Sequence, residues 1–476
     1  MYHASLVFIL LSEGDYLNKK ISILFLTVSI VGCANSNHIS DVNNEIMEKS
    51  EQRINQTVLF GGASLDTYLP EDLGLYITEV LENNASINAL VASVESAEML
   101  HRVQRAQLVP QANLNLDYIR EKSPVDNEVA NQAQLGVNTR WALDLWGKIR
   151  NEKRAAKLSV EQKQNELNWA KRLLIAKAIS YWSDYISASR RHVVAEEQLK
   201  IYQDLAVSAK EEYVHGLIGY QEFIEQQNTE RYAQNTWDQI GVEKQRTLFA
   251  LNTLRGKHPK TPIDIELDIN EFPFVPLPES IQAFQLADRP DIRSAYIQIA
   301  VLDEQTKAAN KALLPDLSIT GSADRSANSF SKIFDESMMW RLIGSAVQPV
   351  FRGGELRAEA NRISKDAESA FWEYQNVVAN AIEEVEVNLI QESEIRRYIE
   401  RQEKIIIKIQ EIQAQQVEAY RNGDGSIKEF LLSRTSTLDA KSQLIQRHSE
   451  YVNNRVALAL AIGQPLELLG VTNDKK

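Results

Sequence analysis

From Ala112 to Tyr118 the chain alternates with period two, Ala112, Leu114, Leu116 and Tyr118 against Asn113, Asn115 and Asp117. The pattern returns from Gln134 to Trp141, with Leu135, Val137, Thr139 and Trp141 set against Gln134, Gly136, Asn138 and Arg140. One apolar and one polar face predict strands at residues 110–120 and 133–145. Leu317, Ile319, Gly321 and Ala323 against Ser318, Thr320, Ser322 and Asp324 predict a third strand at 315–325, and a less regular stretch, 338–350, a fourth. Around these strands the pattern changes. Lys148 to His215 and Glu355 to Asn422 each run 68 residues without a glycine or proline, and both are rich in the strong helix formers. Each predicts one uninterrupted helix about 100 Å long, a length no compact core needs. Tyr213 to Gly216 and Tyr420 to Gly423 form Tyr-x-x-Gly turns, and a returning helix follows each, which makes two long hairpins, 147–256 and 355–463.

The second half of the chain repeats the first. Pro110 and Pro315 stand 205 residues apart in matching surroundings, while Tyr213 and Tyr420, Phe223 and Phe430, and Gly256 and Gly463 each stand 207 apart. A single register held over such distances marks a duplicated unit of helix, two strands and hairpin. The first copy covers 65–256, opening with a helix at about Ile77 to Gln107. The second covers 281–465, opening at about Asp291 to Leu313. Between them 257–280 is a connector holding Pro259, Pro262, Pro273, Pro276 and Pro278, and 466–476 is a tail.

Alternating strands ordinarily belong to soluble sandwiches. Three features oppose that here: four strands per chain, each of bilayer-crossing length, with a polar face of small and mostly uncharged residues suited to a water-filled lumen. Four strands cannot close a barrel, so several chains must cooperate. Periodicity leaves the number open, because two chains would give eight strands and three would give twelve.

A formal charge of −13 and a pI of about 5.3 argue against nucleic acid, which needs a basic stripe. The single cysteine, Cys33, excludes a disulfide framework and a multi-cysteine metal site. Lys19 and Lys20 precede the apolar run Ile21 to Gly32, which is too short to span a bilayer and has the build of a secretory signal. Residues 1–32 are therefore expected to be removed, with the true start downstream of Met1. Ile30-Val31-Gly32-Cys33 resembles the bacterial lipobox, so Cys33 is expected to carry lipid; an ordinary signal that happens to contain a cysteine is the alternative. Ala34, where an aspartate would favour the inner membrane, points to the outer membrane. Polar residues 33–64 form the lipidated N-terminus and a tether.

Three motifs, Trp141-Ala142-Leu143-Asp144-Leu145-Trp146-Gly147-Lys148-Ile149-Arg150, Arg289-Pro290-Asp291-Ile292 and Gln348-Pro349-Val350-Phe351-Arg352-Gly353-Gly354-Glu355-Leu356-Arg357, together resemble the TolC-like outer-membrane efflux family, in its OprM-like lipoprotein branch. The resemblance spans about Leu65 to Pro465. It implies a mainly α fold with a transmembrane β-barrel portion: a homotrimer with a twelve-stranded barrel in the outer membrane, an α-helical barrel in the periplasm and an equatorial belt. It further implies a periplasmic adaptor and an inner-membrane RND-type transporter as partners, and a periplasmic gate at the helical tips. Glu222 and Glu429, 207 apart, match the family's gate acids, with Tyr213 and Tyr420 beside them. Tyr213, His215, Gly216, Leu217, Tyr420 and Gly423 match the turns that face the adaptor. Leu432 replaces a second gate acid and Gly425 a basic gate residue, so fewer polar links are expected to hold this gate.

Every one of these residues has a plainer reading, as a helix cap or a solvated face. Trp169, Tyr181, Trp182 and Tyr185 are expected to pack between helices. No His-Glu-x-x-His, Walker loop or nucleophile elbow occurs, and Gly423-Asp424-Gly425 lacks the spaced ligands of a calcium loop. Catalysis is not expected, nor any cofactor beyond a covalent lipid on Cys33. The leading expectation is a passive exit duct. A periplasmic adaptor lipoprotein, usually with one hairpin, is the rival, and a lipid-anchored envelope enzyme has no site to support it.

Overall fold

A computed structural model describes residues 71–122, 129–263, 265, 286, 288–422, 424 and 426–463. The signal segment, Cys33, the tether, most of the connector, Gly423 and the tail lie outside the described residues. The first copy comprises α1 (Glu71–Asn83), α2 (Ala85–Ala106), β1 (Gln111–Lys122), β2 (Val129–Leu143), α3 (Lys148–Val214) and α4 (Tyr220–Leu254). The second comprises α5 (Pro290–Lys311), β3 (Asp316–Ala327), a short 3-10 turn (Phe330–Lys332), β4 (Met339–Val347), α6 (Glu355–Arg421) and α7 (Ile427–Ile462).

Two elements depart from expectation. The opening helix of the first copy is broken in two at Asn84, whose side chain accepts from the N–H groups of Ser86 at 3.0 Å and Ile87 at 3.3 Å and so restarts the helix as an N-cap. Strand β4 stops at Val347 because Pro349 has no N–H to offer a ladder. Gln348 turns its side chain away instead, donating to the Leu313 carbonyl at 3.0 Å.

The duplication extends to individual hydrogen bonds. Trp141, the counterpart of Gln348, donates its indole N–H to the carbonyl of Leu108, the counterpart of Leu313, also at 3.0 Å. Asn84 and Arg289 are equivalent as well: Asn84 Nδ2 reaches the Leu254 carbonyl at 3.1 Å, and Arg289 Nη1 reaches the matching Ala461 carbonyl at 3.0 Å. The residue just before α2 in the first copy, and the one just before α5 in the second, is thereby stapled to the end of its copy's returning helix.

Helix α3 is the central member, packing against α1, α2, α4, α5 and α7. The largest core gathers at its midpoint, where Ile175, Ile179, Trp182 and Ile186 meet Leu73, Tyr76, Ile77 and Val80 of α1, Leu251 of α4 and Val452 of α7. Trp182 lies 5.0 Å from the Tyr76 ring, and Trp169 lies under the Arg289 guanidinium at 4.8 Å, so both are packing residues. A second core joins Ile292, Ala381, Val385, Leu458 and Ala461. Leu251 and Leu458 are repeat partners, each fully buried in its own copy's core.

The sheet joins the helices through the Trp141 to Arg150 motif. Asp144 accepts from the N–H groups of Ile149 at 3.0 Å and Arg150 at 2.9 Å, and from the Arg150 side chain at 3.2 Å. Burial works to raise its pKa, but these donors outweigh it and hold the carboxyl below the usual carboxylate range. Trp146 donates to the Pro315 carbonyl at 2.8 Å, tying the first copy to the second just below the sheet.

Candidate functional site

All four strands form one antiparallel sheet in the order β1-β2-β3-β4, leaving β1 and β4 as open edges. Register sorts the side chains by face. Leu114, Val137, Ala323 and Trp340 share one row, flanked by Ala112, Thr139, Gly321 and Leu342. Between these rows, on the opposite face, stand Asn113, Asn138, Ser322 and Arg341, and beyond them Asn115, Gly136, Asp324 and Met339. Leu114 is 73% exposed and Trp340 79%, so the apolar face is bare in the single chain. From Leu143 to the Tyr118 and Ala133 row, about 10 residues at ~3.4 Å each and a tilt of about 40° give an apolar band of about 25 Å, the hydrocarbon height of an outer-membrane barrel.

At the far end of the hairpins, the first turn closes with Gly216 at φ 70°, the N–H of Leu217 bonding the Glu212 carbonyl at 2.8 Å. The second turn repeats that bond between Asp424 and Ala419 at 2.9 Å. Tyr213 stacks on Phe223 with 5.1 Å between ring centroids and meets Tyr220 at 5.9 Å, so it ties α3 to α4. His215, Gly216, Leu217 and Tyr420 are exposed at the two turns.

Glu222 and Glu429 both occupy the first turn of their helices, where the positive helix end favours a carboxylate. Their surroundings differ. Glu222 pairs with Lys428 at 2.7 Å, whereas Glu429 is exposed and has no ion-pair partner among the described residues. Lys428 was not among the expected gate residues. The signal for it was a break in the repeat, since its counterpart is Gln221, and the first turn of a helix is a poor place for a cation unless a carboxylate faces it. It supplies a basic link that the glycine at position 425 does not.

That pair is the last rung of a seam between the hairpins. Along α3 and α7, Ser183 bonds Ser449, Asp184 accepts from Ser449 and Asn453 at 2.9 Å each, and Gln198 donates to Asp439 at 2.6 Å. Arg434 Nε reaches Glu197 at 3.0 Å, and the run is interrupted by the apolar patch Ile201, Leu205 and Leu438 and, towards the middle of α3, by the main core that Val452 joins. Water can replace the exposed Arg434–Glu197 and Glu222–Lys428 pairs at small cost, whereas the Ser183–Ser449 contact and the core around Val452 are buried, so the hairpins part more readily towards their tips than at mid-length.

Long hairpins with exposed tips, joined to a sheet that is apolar on one face, polar on the other and open at both edges, define a membrane conduit assembled from more than one chain. The family model described as outer membrane efflux protein matches residues 76–256 and 285–464, the two copies of the repeat. The chain belongs to that family. It is an outer-membrane exit channel of the tripartite efflux type, which sets aside the adaptor reading, and its helices extend into the periplasm.

Similar proteins include the toluene efflux pump outer membrane protein TtgF of Pseudomonas putida, 25% identical over 80% of this chain and 79% of that one. The cation efflux system protein CusC of Escherichia coli is 23% identical over 81% and 85%. Among solved structures, the Campylobacter jejuni CmeC outer membrane channel superposes with a TM-score of 0.73 at 21% identity, covering 85% of this chain and 87% of that one. The open state of the Neisseria gonorrhoeae MtrE channel gives 0.75 at 21%, covering 83% and 89%. The fold, mainly helical with a duplicated unit, is that of the trimeric TolC-like channels.

Proposed function

We propose that three copies of this chain close a twelve-stranded barrel and a helical duct, and that the duct is shut at its periplasmic tips by the Glu222–Lys428 link together with Glu429. An adaptor contacting Tyr213, His215, Gly216, Leu217, Tyr420 and Gly423 would draw the hairpins apart along the polar seam, and an inner-membrane RND-type transporter would supply the energy. The duct itself performs no reaction. Its named relatives serve toluene and cation pumps on one architecture, so substrate choice is assigned to the transporter and the duct contributes width and charge.

The observation that supports this gate is the ion pair between Glu222 and Lys428, two residues 206 positions apart on different hairpins. An exposed pair is worth about 0.5 kcal/mol, and three acting together would shift the opening equilibrium about tenfold. In planar bilayers Lys428→Ala should therefore raise open probability, and the swap Glu222→Lys/Lys428→Glu should restore closure. Equal gating in wild type, the single variant and the swap would remove the link from the gate.

Acylation of Cys33 is part of the same proposal. Palmitate label should enter the wild-type protein and be absent from Cys33→Ala, with trimers still formed because the barrel surface far outweighs a few acyl chains in membrane affinity. Label persisting in Cys33→Ala would end that assignment.

A further inference from the structure

At their outer ends the strands sort charge by face. Arg120 and Lys122 continue the face of Leu114, Leu116 and Tyr118, and Arg325 shares a row with Leu116 and Leu135. The opposite, lumenal face carries Asp117, Glu121 and Asp324 over the same rows. On β1 to β3 the cations of these rows face outward and the carboxylates inward, while β4 places Arg341 on the lumenal face.

The connection after β3 also lies on the outward face. Phe330 stacks on Tyr118 with 5.1 Å between centroids, and Ile333, 2% exposed, closes over Ala133 and Ala327. Arg325 donates to the Phe334 carbonyl at 3.0 Å, while the Phe334 side chain stays exposed. Lys332 is exposed on this connection, followed by Asp335 and Glu336. Arg120, Lys122, Arg325 and Lys332 form no ion pair among the described residues. Among the described residues, four outward cations thus stand against two carboxylates on the connection after β3. Arg120 and Lys122 lie just above the Tyr118 row that ends the apolar band, the level at which headgroup phosphates sit.

We propose that this rim binds phosphate-bearing lipid of the outer leaflet, Phe330 and Phe334 lying against acyl chains and Arg120, Lys122, Arg325 and Lys332 against headgroup phosphates. A guanidinium or ammonium that has no carboxylate partner among the described residues and projects at that depth, as Arg120 and Lys122 do, or one row inside it, as Arg325 does, matches a phosphate in both charge and position. The assignment rests on the outer-membrane placement of the barrel and is independent of the gate.

Native mass spectrometry of the purified trimer tests it, using a bisphosphorylated acyl glycolipid, the same glycolipid dephosphorylated, and zwitterionic phosphatidylethanolamine. The wild type should retain the phosphorylated form selectively, and each charge removed should weaken retention about fivefold. Lys122→Gln/Lys332→Gln, confined to exposed side chains, should then lose about 25-fold, while the lumenal Glu121→Gln should retain lipid as wild type does. Single-channel conductance on the same samples reports the duct separately. A variant that conducts normally but no longer distinguishes phosphorylated lipid supports the surface. Equal retention of phosphorylated and dephosphorylated glycolipid by wild type, or undiminished preference in the double variant, overturns it.

Discussion

Arg289→Ala is expected to cost about 3 kcal/mol per chain and to leave little heat-resistant trimer, the largest loss of any single substitution in the helical body. Arg289 is 2% exposed and binds four elements at once. It donates to Asp291 at 2.7 and 3.1 Å, to Glu384 of α6 at 2.8 Å and to the Ala461 carbonyl of α7, and it lies over Trp169 of α3. Truncation empties a buried volume and strips two carboxylates of their cation. Because Asp291 and Glu384 keep partial access to water, the figure sits at the low end for a broken buried pair. Gly463 offers an independent test of the same site. It stands at φ 81°, and a Cβ there would meet Arg289 Cγ at 2.9 Å, so Gly463→Ala should destabilise by about 1–3 kcal/mol through strain and displacement of the arginine. Urea midpoints of both variants indistinguishable from wild type would show that the staple contributes nothing.

The second large effect belongs to the sheet. Leu114→Arg, in the row near the middle of the apolar band, should cost about 2–4 kcal/mol and lower trimer yield in membranes sharply, since three charges per barrel would enter hydrocarbon. Asn115→Arg, one residue along, points to the lumen and should assemble normally while shifting ion selectivity toward anions. Comparable losses from both substitutions would mean that neither face meets lipid. Arg325 in the Leu116 row, one row inside the Tyr118 row that ends the band, is consistent with this, because near the edge a cation costs far less than at the midplane and its side chain reaches outward to the Phe334 carbonyl.

Much of this architecture was legible in the chain. The long helices follow from two glycine- and proline-free stretches of strong helix formers, and the faces of the strands follow from their alternation. Asn84 was missed. Inside a run with helical composition an asparagine carries no mark of whether it faces solvent or caps, and only the nearby Leu254 carbonyl decides the matter. The early end of β4 was in principle readable from Pro349, but the apolar residues Val350 and Phe351 beyond it suggested a longer strand. Glu222 and Glu429 follow from the family resemblance, and the repeat implies that they are alike. The Lys428 contact makes them different, and it depends on where two hairpin tips come to rest.

Local pattern by itself determined the elements of this protein, their duplication, the polarity of each strand and the family motifs, because helix propensity and two-residue alternation act over a few neighbours and are written into each segment. Tertiary structure alone decided which side chains meet, within the second copy Arg289 with Glu384, and across the copies Glu222 with Lys428, Asp184 with Asn453, and Phe330 with Tyr118. Those contacts join residues roughly 95 to 270 positions apart, and ion pairs and ring contacts act over only a few ångströms, so their existence turns on the final placement of rigid helices and strands rather than on any pattern along the chain.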